Sequence, residues 1–140
     1  MKTMDVNKIN EAWTDVYYYL HYKHVEVLTH QNIRFMQAIY KNKNITISSL
    51  SKIMSLSHNT ASEHVQRLQK KQYVERRKNP NDERQTYVTL TNLGKQVLKR
   101  NTELDEEKIR QVLDKLEPKE QMLIYEALQL LRDTVIKEFS

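Results

Sequence analysis

Short polar and cationic side chains are concentrated in one stretch of this 140-residue chain, between residues 57 and 84. Asn and Gln can form paired hydrogen bonds with adenine edges, and Glu can accept from the amino group of cytosine. Ser, Thr, Lys and Arg can bind phosphates. The residues of this stretch with such chemistry are Ser57, His58, Asn59, Thr60, Ser62, Glu63, Gln66, Arg67, Lys70, Arg77, Lys78, Asp82 and Arg84. We predict that they form a surface for double-stranded DNA, with an ordinary solvated helix face as the alternative.

Asp82 and Arg84 are the most specific pair in this stretch. On an extended strand, residues two apart lie on the same side. A carboxylate beside a guanidinium fixes its direction through charge-assisted hydrogen bonds, and an arginine held in this way suits a narrow, electronegative minor groove. We therefore predict that Asp82 orients Arg84 toward DNA. The alternative is a surface ion pair worth roughly 0–1 kcal/mol and without function.

Three capped helices are predicted just before and within this stretch. Thr29, Thr46 and Ser57 are good N-cap residues. Each is flanked by a pair of apolar residues at the spacing of a hydrophobic staple: Leu28 with Ile33, Ile45 with Leu50, and Leu56 with Ala61. The third helix should end near Gln72, with Ala61, Val65 and Leu68 on its core face.

A hairpin and two further helices complete the predicted order. We predict strands over 73–77 and 85–90, around a loop from Lys78 to Glu83 that contains Pro80. Thr91 should cap a long helix that continues to Leu116, and Pro118 should open the last helix. Before the core, apolar spacing predicts a helix from Asp5 to about His24. Gly94 lies inside a first turn, so we predict that another backbone segment packs too close there for a β-carbon.

The predicted fold is mainly α with a small β-hairpin wing. It is a single domain over 1–140, with a winged helix-turn-helix core over 28–91 and dimerisation helices over 1–27 and 92–140. Only 39% of the residues are hydrophobic, which is modest for a self-sufficient core. We therefore expect a second copy of the chain to cover part of the apolar surface.

The stretch "LTHQNIRFMQAIYKNKNITISSLSKIMSLSHNTASEHVQRLQKKQYVERRKNPNDERQTYVTLTNLGKQVL" resembles the core of the MarR family of bacterial transcriptional regulators. The D-x-R wing motif of that family falls on Asp82 and Arg84, and its LT-x-x-G motif falls on Leu90, Thr91 and Gly94. The resemblance implies an obligate homodimer with interlocking terminal helices. It also implies recognition helices in successive major grooves, wing arginines in minor grooves, and a repressor often released by a small aromatic ligand.

Two residues depart from the pattern of the family. Gln72 stands where the family usually has Gly after the recognition helix. Because a left-handed cap costs more at Gln than at Gly, we predict that this helix end is built differently. Glu63 stands where the family often has a basic residue, which favours a cytosine-containing half-site.

The N-terminal segment contains candidate ligand residues. Trp13, Tyr17 and His21 could line a pocket for a small aromatic ligand, although core and dimer packing explain them equally well. His21, His24 and His30, with Glu26 as the nearby carboxylate, raise the alternative of a zinc-responsive regulator of the same fold. No cysteine is present to complete such a site, so surface or dimer-interface histidines are favoured, and we predict no metal.

Composition limits the remaining function classes. The chain has 23 Lys and Arg against 18 Asp and Glu, a net charge of +5, which suits a polyanionic partner such as nucleic acid or an acidic membrane surface. It lacks an apolar run of membrane-spanning length and the apolar run of a signal peptide, so we expect a cytoplasmic protein without a membrane partner. Phosphate loops, HExxH motifs and nucleophile elbows are missing, so we expect neither an enzyme nor a cofactor. A winged-helix protein-interaction module without DNA binding remains the other alternative.

Overall fold

The computed structural model describes residues 3–23 and 26–140. Within them the helices are α1 (Val6–Leu20), α2 (His30–Lys41), α3 (Ile47–Met54), α4 (His58–Lys70), α5 (Asn92–Thr102), α6 (Glu106–Leu113) and α7 (Pro118–Phe139). The strands are β1 (Ile45–Thr46), β2 (Val74–Asn79) and β3 (Asp82–Leu90). The predicted fold class, mainly α with a small β-hairpin wing on a helix-turn-helix, is confirmed.

The chain divides into two compact units. The winged unit comprises residues 21–103, and the terminal unit comprises residues 1–20 and 104–140. Helix α5, which the sequence assigned to the flanking segments, lies in the winged unit. The division of one domain into a 28–91 core and dimerisation helices remains a prediction.

All three predicted caps begin a helix of the winged unit. The side-chain oxygens of Thr29, Thr46 and Ser57 accept hydrogen bonds from backbone N–H groups three residues later, at 3.0–3.1 Å. The staple residues of each cap belong to the core or pack against it. The core consists of buried apolar residues from α2 to α5: Phe35, Met36, Ile39, Ile45, Ile47, Leu50, Ala61, Val65, Leu68, Val74, Val88, Leu90, Val97 and Leu98.

The wing is a three-stranded antiparallel sheet in the order β1-β3-β2. The predicted loop from Lys78 to Glu83 is wrong, because β2 extends to Asn79 and β3 begins at Asp82. The Asn79 side chain makes the tight turn possible. Its Oδ1 accepts the Asn81 N–H at 2.9 Å and its Nδ2 donates to Gln85 Oε1 at 2.9 Å. The two-residue strand β1 was not predicted, since it is too short to show any periodicity.

Helix α4 ends in a left-handed residue, as a glycine-capped helix does. Gln72 has φ 64°, and its N–H donates to the Gln69 carbonyl at 2.9 Å. The Tyr73 N–H donates to the Leu68 carbonyl at 3.0 Å, which completes a Schellman motif. The predicted difference at this helix end is therefore wrong, because the hydrogen bonds and the burial of Leu68 impose the left-handed conformation on a glutamine.

Gly94 confirms the predicted close approach of backbone. A β-carbon there would lie 2.0 Å from the Tyr73 carbonyl oxygen and 2.9 Å from the Tyr73 carbonyl carbon. The same carbonyl accepts the Thr91 N–H at 3.0 Å, and Thr91 Oγ1 donates to the Gln72 carbonyl at 2.6 Å. The start of α5 thus packs against the backbone segment that connects α4 to the wing, and it is hydrogen-bonded to that segment.

Two helix boundaries in and near the terminal unit differ from the prediction. Helix α1 ends at Leu20 rather than near His24, and the Leu20 carbonyl accepts the Asp105 N–H at 2.7 Å. The helix expected from Thr91 to Leu116 is interrupted after Thr102, because Asp105 caps α6 by accepting the Glu107 N–H at 3.0 Å. Pro118 opens α7 as predicted, behind a capping box of Glu117 and Glu120.

None of the helices within 3–23 and 26–140 combines the length and the apolar character that crossing a bilayer requires.

Candidate nucleic-acid interface

Helix α4 presents the polar face that its sequence predicts. Its apolar stripe of Ala61, Val65 and Leu68 is buried against the core. The opposite side is open to solvent and carries the exposed residues Asn59, Glu63, Gln66, Arg67 and Lys70. Ser62 at its margin is half-buried. Because the buried stripe fixes the rotation of the helix, these side chains are held outward on a rigid element.

The first turn of α4 uses part of its polar chemistry for its own cap. Ser57 Oγ accepts the Thr60 N–H at 3.1 Å and donates to Thr60 Oγ1 at 2.9 Å. The Ser57 hydroxyl is therefore committed to the helix end, whereas the Thr60 hydroxyl, which accepts that bond, retains a proton to donate. His58 is the exposed first residue of the helix.

A groove runs between the starts of α3 and α4 and the wing. Its volume is about 330 Å³, and we call it the interface groove. It is lined by Thr46, Ile47, Ser48, His58, Arg76, Arg84, Gln85 and Thr86. No carboxylate belongs to this lining in the part of the chain that the structure describes. Two guanidinium groups beside the free N–H groups of a helix start favour an anionic occupant.

Arg76 lines the interface groove and was not singled out by the sequence. It lies on β2 opposite Val88 of β3, so it shares the sheet face on which Val88 is buried. Its Nε donates to Gln69 Oε1 in the last turn of α4, at 3.1 Å. The wing and α4 are thus joined by a side-chain hydrogen bond. Strand alternation from Val74 could have predicted that Arg76 lies on the core face of the sheet. It could not have predicted the hydrogen bond to Gln69.

Asp82 and Arg84 make the contact that their spacing predicts. Asp82 Oδ1 accepts from both the backbone N–H of Arg84 at 3.1 Å and its Nε at 3.2 Å. The Arg84 side chain is nevertheless 92% exposed, against 35% for Asp82. One carboxylate oxygen therefore holds the base of the guanidinium while its outer edge stays in solvent.

Arg77 and Lys78 point to different sides of the wing. Lys78 pairs with Thr86, one of the groove-lining residues, whereas Arg77 pairs with Tyr87 on the opposite face. The structure therefore groups Lys78 with Arg76 and Arg84. It does not bring Arg77 to the face that the wing shares with α4.

A family match accounts for this arrangement. Residues 28–86 match the model of the MarR family. This match lies within the winged unit. The resemblance to this family is thereby confirmed, and the match includes the D-x-R motif at Asp82 and Arg84. The LT-x-x-G motif at Leu90, Thr91 and Gly94 lies beyond the matched residues. Among curated proteins, the HTH-type transcriptional regulator YdgJ of Bacillus subtilis is 23% identical over 108 residues, which are 77% of this chain and 66% of YdgJ.

Solved structures share the fold over most of this chain. FabT of Streptococcus pneumoniae, solved in complex with DNA, is 20% identical with a TM-score of 0.59, over 95% of this chain and 99% of FabT. The regulator Tm0710 of Thermotoga maritima is 23% identical with a TM-score of 0.60, over 79% and 78%. MarR of Escherichia coli is 21% identical with a TM-score of 0.53, over 93% and 98%. At these identities the likeness establishes the fold.

The predicted ligand residues are distributed over both units. Trp13 and Tyr17 stack one helical turn apart on α1, with ring centroids 6.4 Å apart, and both are exposed. His21 follows the end of α1 and belongs to the winged unit. An aromatic-ligand site formed by these three residues remains a prediction.

The histidines do not assemble a metal site in residues 3–23 and 26–140, where no cluster of three candidate ligands occurs. His21 lies beyond the end of α1 at Leu20, although the predicted helix extended to about His24. His24 itself lies outside the described residues. The Glu26 carboxylate is engaged by Arg100, whose Nε donates to Oε2 at 3.3 Å and whose Nη2 donates to Oε1. This paired hydrogen bonding from Arg100 holds the pKa of Glu26 below its ordinary value.

Proposed function

We propose that this protein is a sequence-specific DNA-binding transcriptional regulator. One observation carries the proposal: the exposed polar face of α4 and the Asp82-held Arg84 lie in a single unit, where His58 at the start of α4 lines the same groove as Arg76 and Arg84. In this arrangement α4 would read base edges in a major groove, while Arg84 would enter the adjacent minor groove. FabT, a structural relative, was solved with DNA bound. The matched family comprises regulators rather than enzymes, and this function would be exercised in the cytoplasm.

Each DNA-facing residue has a proposed role in this function. Asn59, Glu63 and Gln66 would contact base edges, because their amides and carboxylate match adenine and cytosine. The residues proposed to contact phosphates and fix the register are Ser57, His58, Thr60, Ser62, Arg67, Lys70 and Lys78. Arg77, on the far face of the wing, would contribute only to the general positive potential.

The protein would act as a homodimer. Helices α1, α6 and α7 of the terminal unit contain no buried residue, yet α7 carries an apolar stripe of Ile124, Leu128, Leu131 and Val135 at steps of four, three and four. Stripes of this kind are covered by another helix in stable proteins. A second copy of the chain supplies such helices and gives the two-fold symmetry that a palindromic operator requires.

A dimer on an operator would most simply repress a neighbouring promoter. Release by a small aromatic ligand is the proposed switch, with Trp13, Tyr17 and His21 as the candidate contacts. The stacked, exposed rings of Trp13 and Tyr17 on α1 support this proposal. Titration with aromatic carboxylates should release wild-type protein from the operator but should not release Trp13→Ala. This experiment tests the ligand step separately from DNA binding.

The DNA-binding proposal is tested by selection from a pool of random duplexes. Wild-type protein should enrich one motif, and Glu63→Gln should change the preferred base at a single position of each half-site by roughly 1–3 kcal/mol. Gln96→Ala changes an exposed residue of α5 and is the control, which should select the wild-type motif. Failure of the wild type to enrich any duplex, with protein partners captured instead, would favour the protein-interaction module and overturn the proposal.

A further inference from the structure

The hydrogen bond between Arg76 and Gln69 indicates how the wing is set against α4. Arg76 is on β2 and Gln69 is in the last turn of α4, seven residues apart in sequence. Between them the chain passes through the left-handed Gln72 and the Tyr73 carbonyl that contacts Gly94. The backbone thus fixes the base of the wing. The Arg76–Gln69 bond adds a second point of attachment farther along the strand.

Arg76 also faces the interface groove. The bond to Gln69 uses only its Nε, and a guanidinium offers five N–H donors in a planar fork. The same side chain lines the groove with Arg84 and His58. Its nearest acidic neighbour along the strand, Glu75, pairs with Thr89 and therefore lies on the other face of the sheet. The outer edge of Arg76 is thus oriented by a neutral partner rather than neutralised by an acid.

On this basis, and resting on the DNA-binding function proposed above, we infer that Arg76 is a phosphate-binding residue whose direction is set by Gln69. It binds one backbone phosphate in the interface groove, between the major-groove helix and the minor-groove arginine. Gln69 is a positioning residue that acts only through Arg76. The pair differs from Asp82 and Arg84 in that the orienting group is uncharged, so the full positive charge of Arg76 remains available to the phosphate.

Three variants separate these roles: Arg76→Ala, Arg76→Lys and Gln69→Ala. Both residues are exposed, so the folded state should tolerate all three, and urea denaturation verifies this for each. The probes are the duplex that wild-type protein enriches and a scrambled duplex of equal length. Affinity is measured for both duplexes over a series of salt concentrations.

Arg76→Ala should weaken binding to both duplexes by a similar factor, about tenfold. The slope of log affinity against log salt should fall by about 0.9 for each arginine removed. Arg76→Lys keeps the cation but cannot be held through Nε, so the slope should stay and the affinity should fall. Gln69→Ala should also leave the slope unchanged while lowering affinity roughly three- to tenfold.

A double-mutant cycle distinguishes orientation from independent contacts. If Gln69 acts through Arg76, then Gln69→Ala should have no further effect in the Arg76→Ala protein. Additive losses would overturn the positioning role. An unchanged salt slope in Arg76→Ala would overturn the phosphate contact, and a loss confined to the enriched duplex would show base recognition instead. If wild-type protein binds neither duplex, the DNA-binding function itself fails, a result that requires no variant to detect.

Discussion

At the residue scale, the orienting role proposed for Asp82 and the general electrostatics of the proposed interface predict opposite effects on DNA binding. Removing an acid from a DNA-facing strand should strengthen binding if only net charge mattered. Asp82 Oδ1, however, accepts two hydrogen bonds from Arg84, so its removal leaves a 92% exposed side chain to be ordered at binding. We predict that Asp82→Ala weakens DNA binding, measured by titration at two salt concentrations. Arg84→Ala should weaken it further and lower the salt slope by about 0.9 per arginine.

Glu83 provides the matched control for Asp82. It is an exposed acid on the same strand, one residue away and therefore on the other side. Glu83→Ala removes the same charge without removing the contact to Arg84, so it should bind DNA equally well or more tightly. If Asp82→Ala behaves like Glu83→Ala and tightens binding in a folded protein, Asp82 does not orient Arg84.

Gly94 gives a stability prediction of unusual sign. In most helix positions Gly→Ala stabilises a protein by roughly 1 kcal/mol. Here the added β-carbon would lie 2.0 Å from the Tyr73 carbonyl oxygen, and backbone must move to relieve the overlap. We predict that Gly94→Ala destabilises the protein by about 1–3 kcal/mol, measured by urea denaturation. Gln96→Ala in the same helix should change stability by less than about 0.5 kcal/mol. A stabilised Gly94→Ala protein would refute the close packing.

At the scale of elements, the end of α4 carries conformational strain. A left-handed residue other than Gly costs roughly 1–2 kcal/mol, and Gln72 has φ 64°. We therefore predict that Gln72→Gly raises the free energy of unfolding by up to about 1 kcal/mol, after the entropy that glycine adds to the unfolded chain. Gln72→Ala, which relieves no strain, is the control and should be close to neutral. A lower urea midpoint for Gln72→Gly would contradict this.

The segment before α2 is tied to α5 by an ion pair whose effect depends on pH. Arg100 donates to both carboxylate oxygens of Glu26 and lowers the pKa of Glu26 in the folded protein. A lowered folded-state pKa stabilises the fold above the ordinary pKa of Glu, about 4.3, and this contribution is lost as pH falls through the folded value. Glu26→Gln should therefore be less stable than wild type at neutral pH.

That difference between Glu26→Gln and wild type should shrink as the solution is acidified below about pH 4. Urea midpoints at a series of pH values measure it, because the other carboxylates are common to both proteins. Glu103→Gln, a change of an exposed carboxylate in the same unit, is the control for a general charge effect. A stability gap that stays constant, or widens toward low pH, would exclude the proposed contribution of the pair.

Sequence predicted those elements that local chemistry determines. The caps at Thr29, Thr46 and Ser57 and the start at Pro118 were found because each uses side chains within a few residues. The break before α6 was missed because the apolar spacing continues through it, although Asp105 is a good N-cap. The wing turn was placed too wide because Asn79 closes it through Gln85, across the hairpin.

In the candidate site, too, local spacing predicted some residues, whereas the roles of others depend on tertiary contacts. Helical spacing alone located the exposed face of α4, and strand alternation paired Asp82 with Arg84. Arg76 was missed because its importance depends on Gln69, a contact made only when the wing packs beside α4. Arg77 was included because its charge is visible in sequence, whereas its face is determined by the register with Tyr87.

At the scale of the whole molecule, the apolar surface of the terminal unit predicts a stable dimer. Leu128 and Leu131 of α7 are 53% and 56% exposed in the single chain. We predict one species of twice the chain mass in ultracentrifugation at micromolar concentration. Replacing both residues by Glu should produce monomers, because the stripe can no longer be buried. Leu130→Glu, the same change on another side of the helix, is the control and should remain dimeric. A folded wild-type monomer would contradict the prediction.

The proposed dimer would determine the form of the DNA site. Two copies of α4 related by a two-fold axis should contact an imperfect palindrome whose half-site centres lie about one helical turn apart, roughly 10–10.5 base pairs. Footprinting of the enriched duplex should show protection on both half-sites.

Changing the spacing of the two half-sites by half a helical turn should weaken binding strongly, because the second α4 then meets the wrong face of the duplex. The substitutions Leu128→Glu and Leu131→Glu lie outside the winged unit, so the double variant should keep that unit folded but lose the effective concentration that links two half-sites. It should therefore bind a single half-site as well as wild type does, and the full palindrome no better than a single half-site. Equal binding of wild type to correctly and wrongly spaced palindromes would show that the two copies do not bind as one rigid dimer.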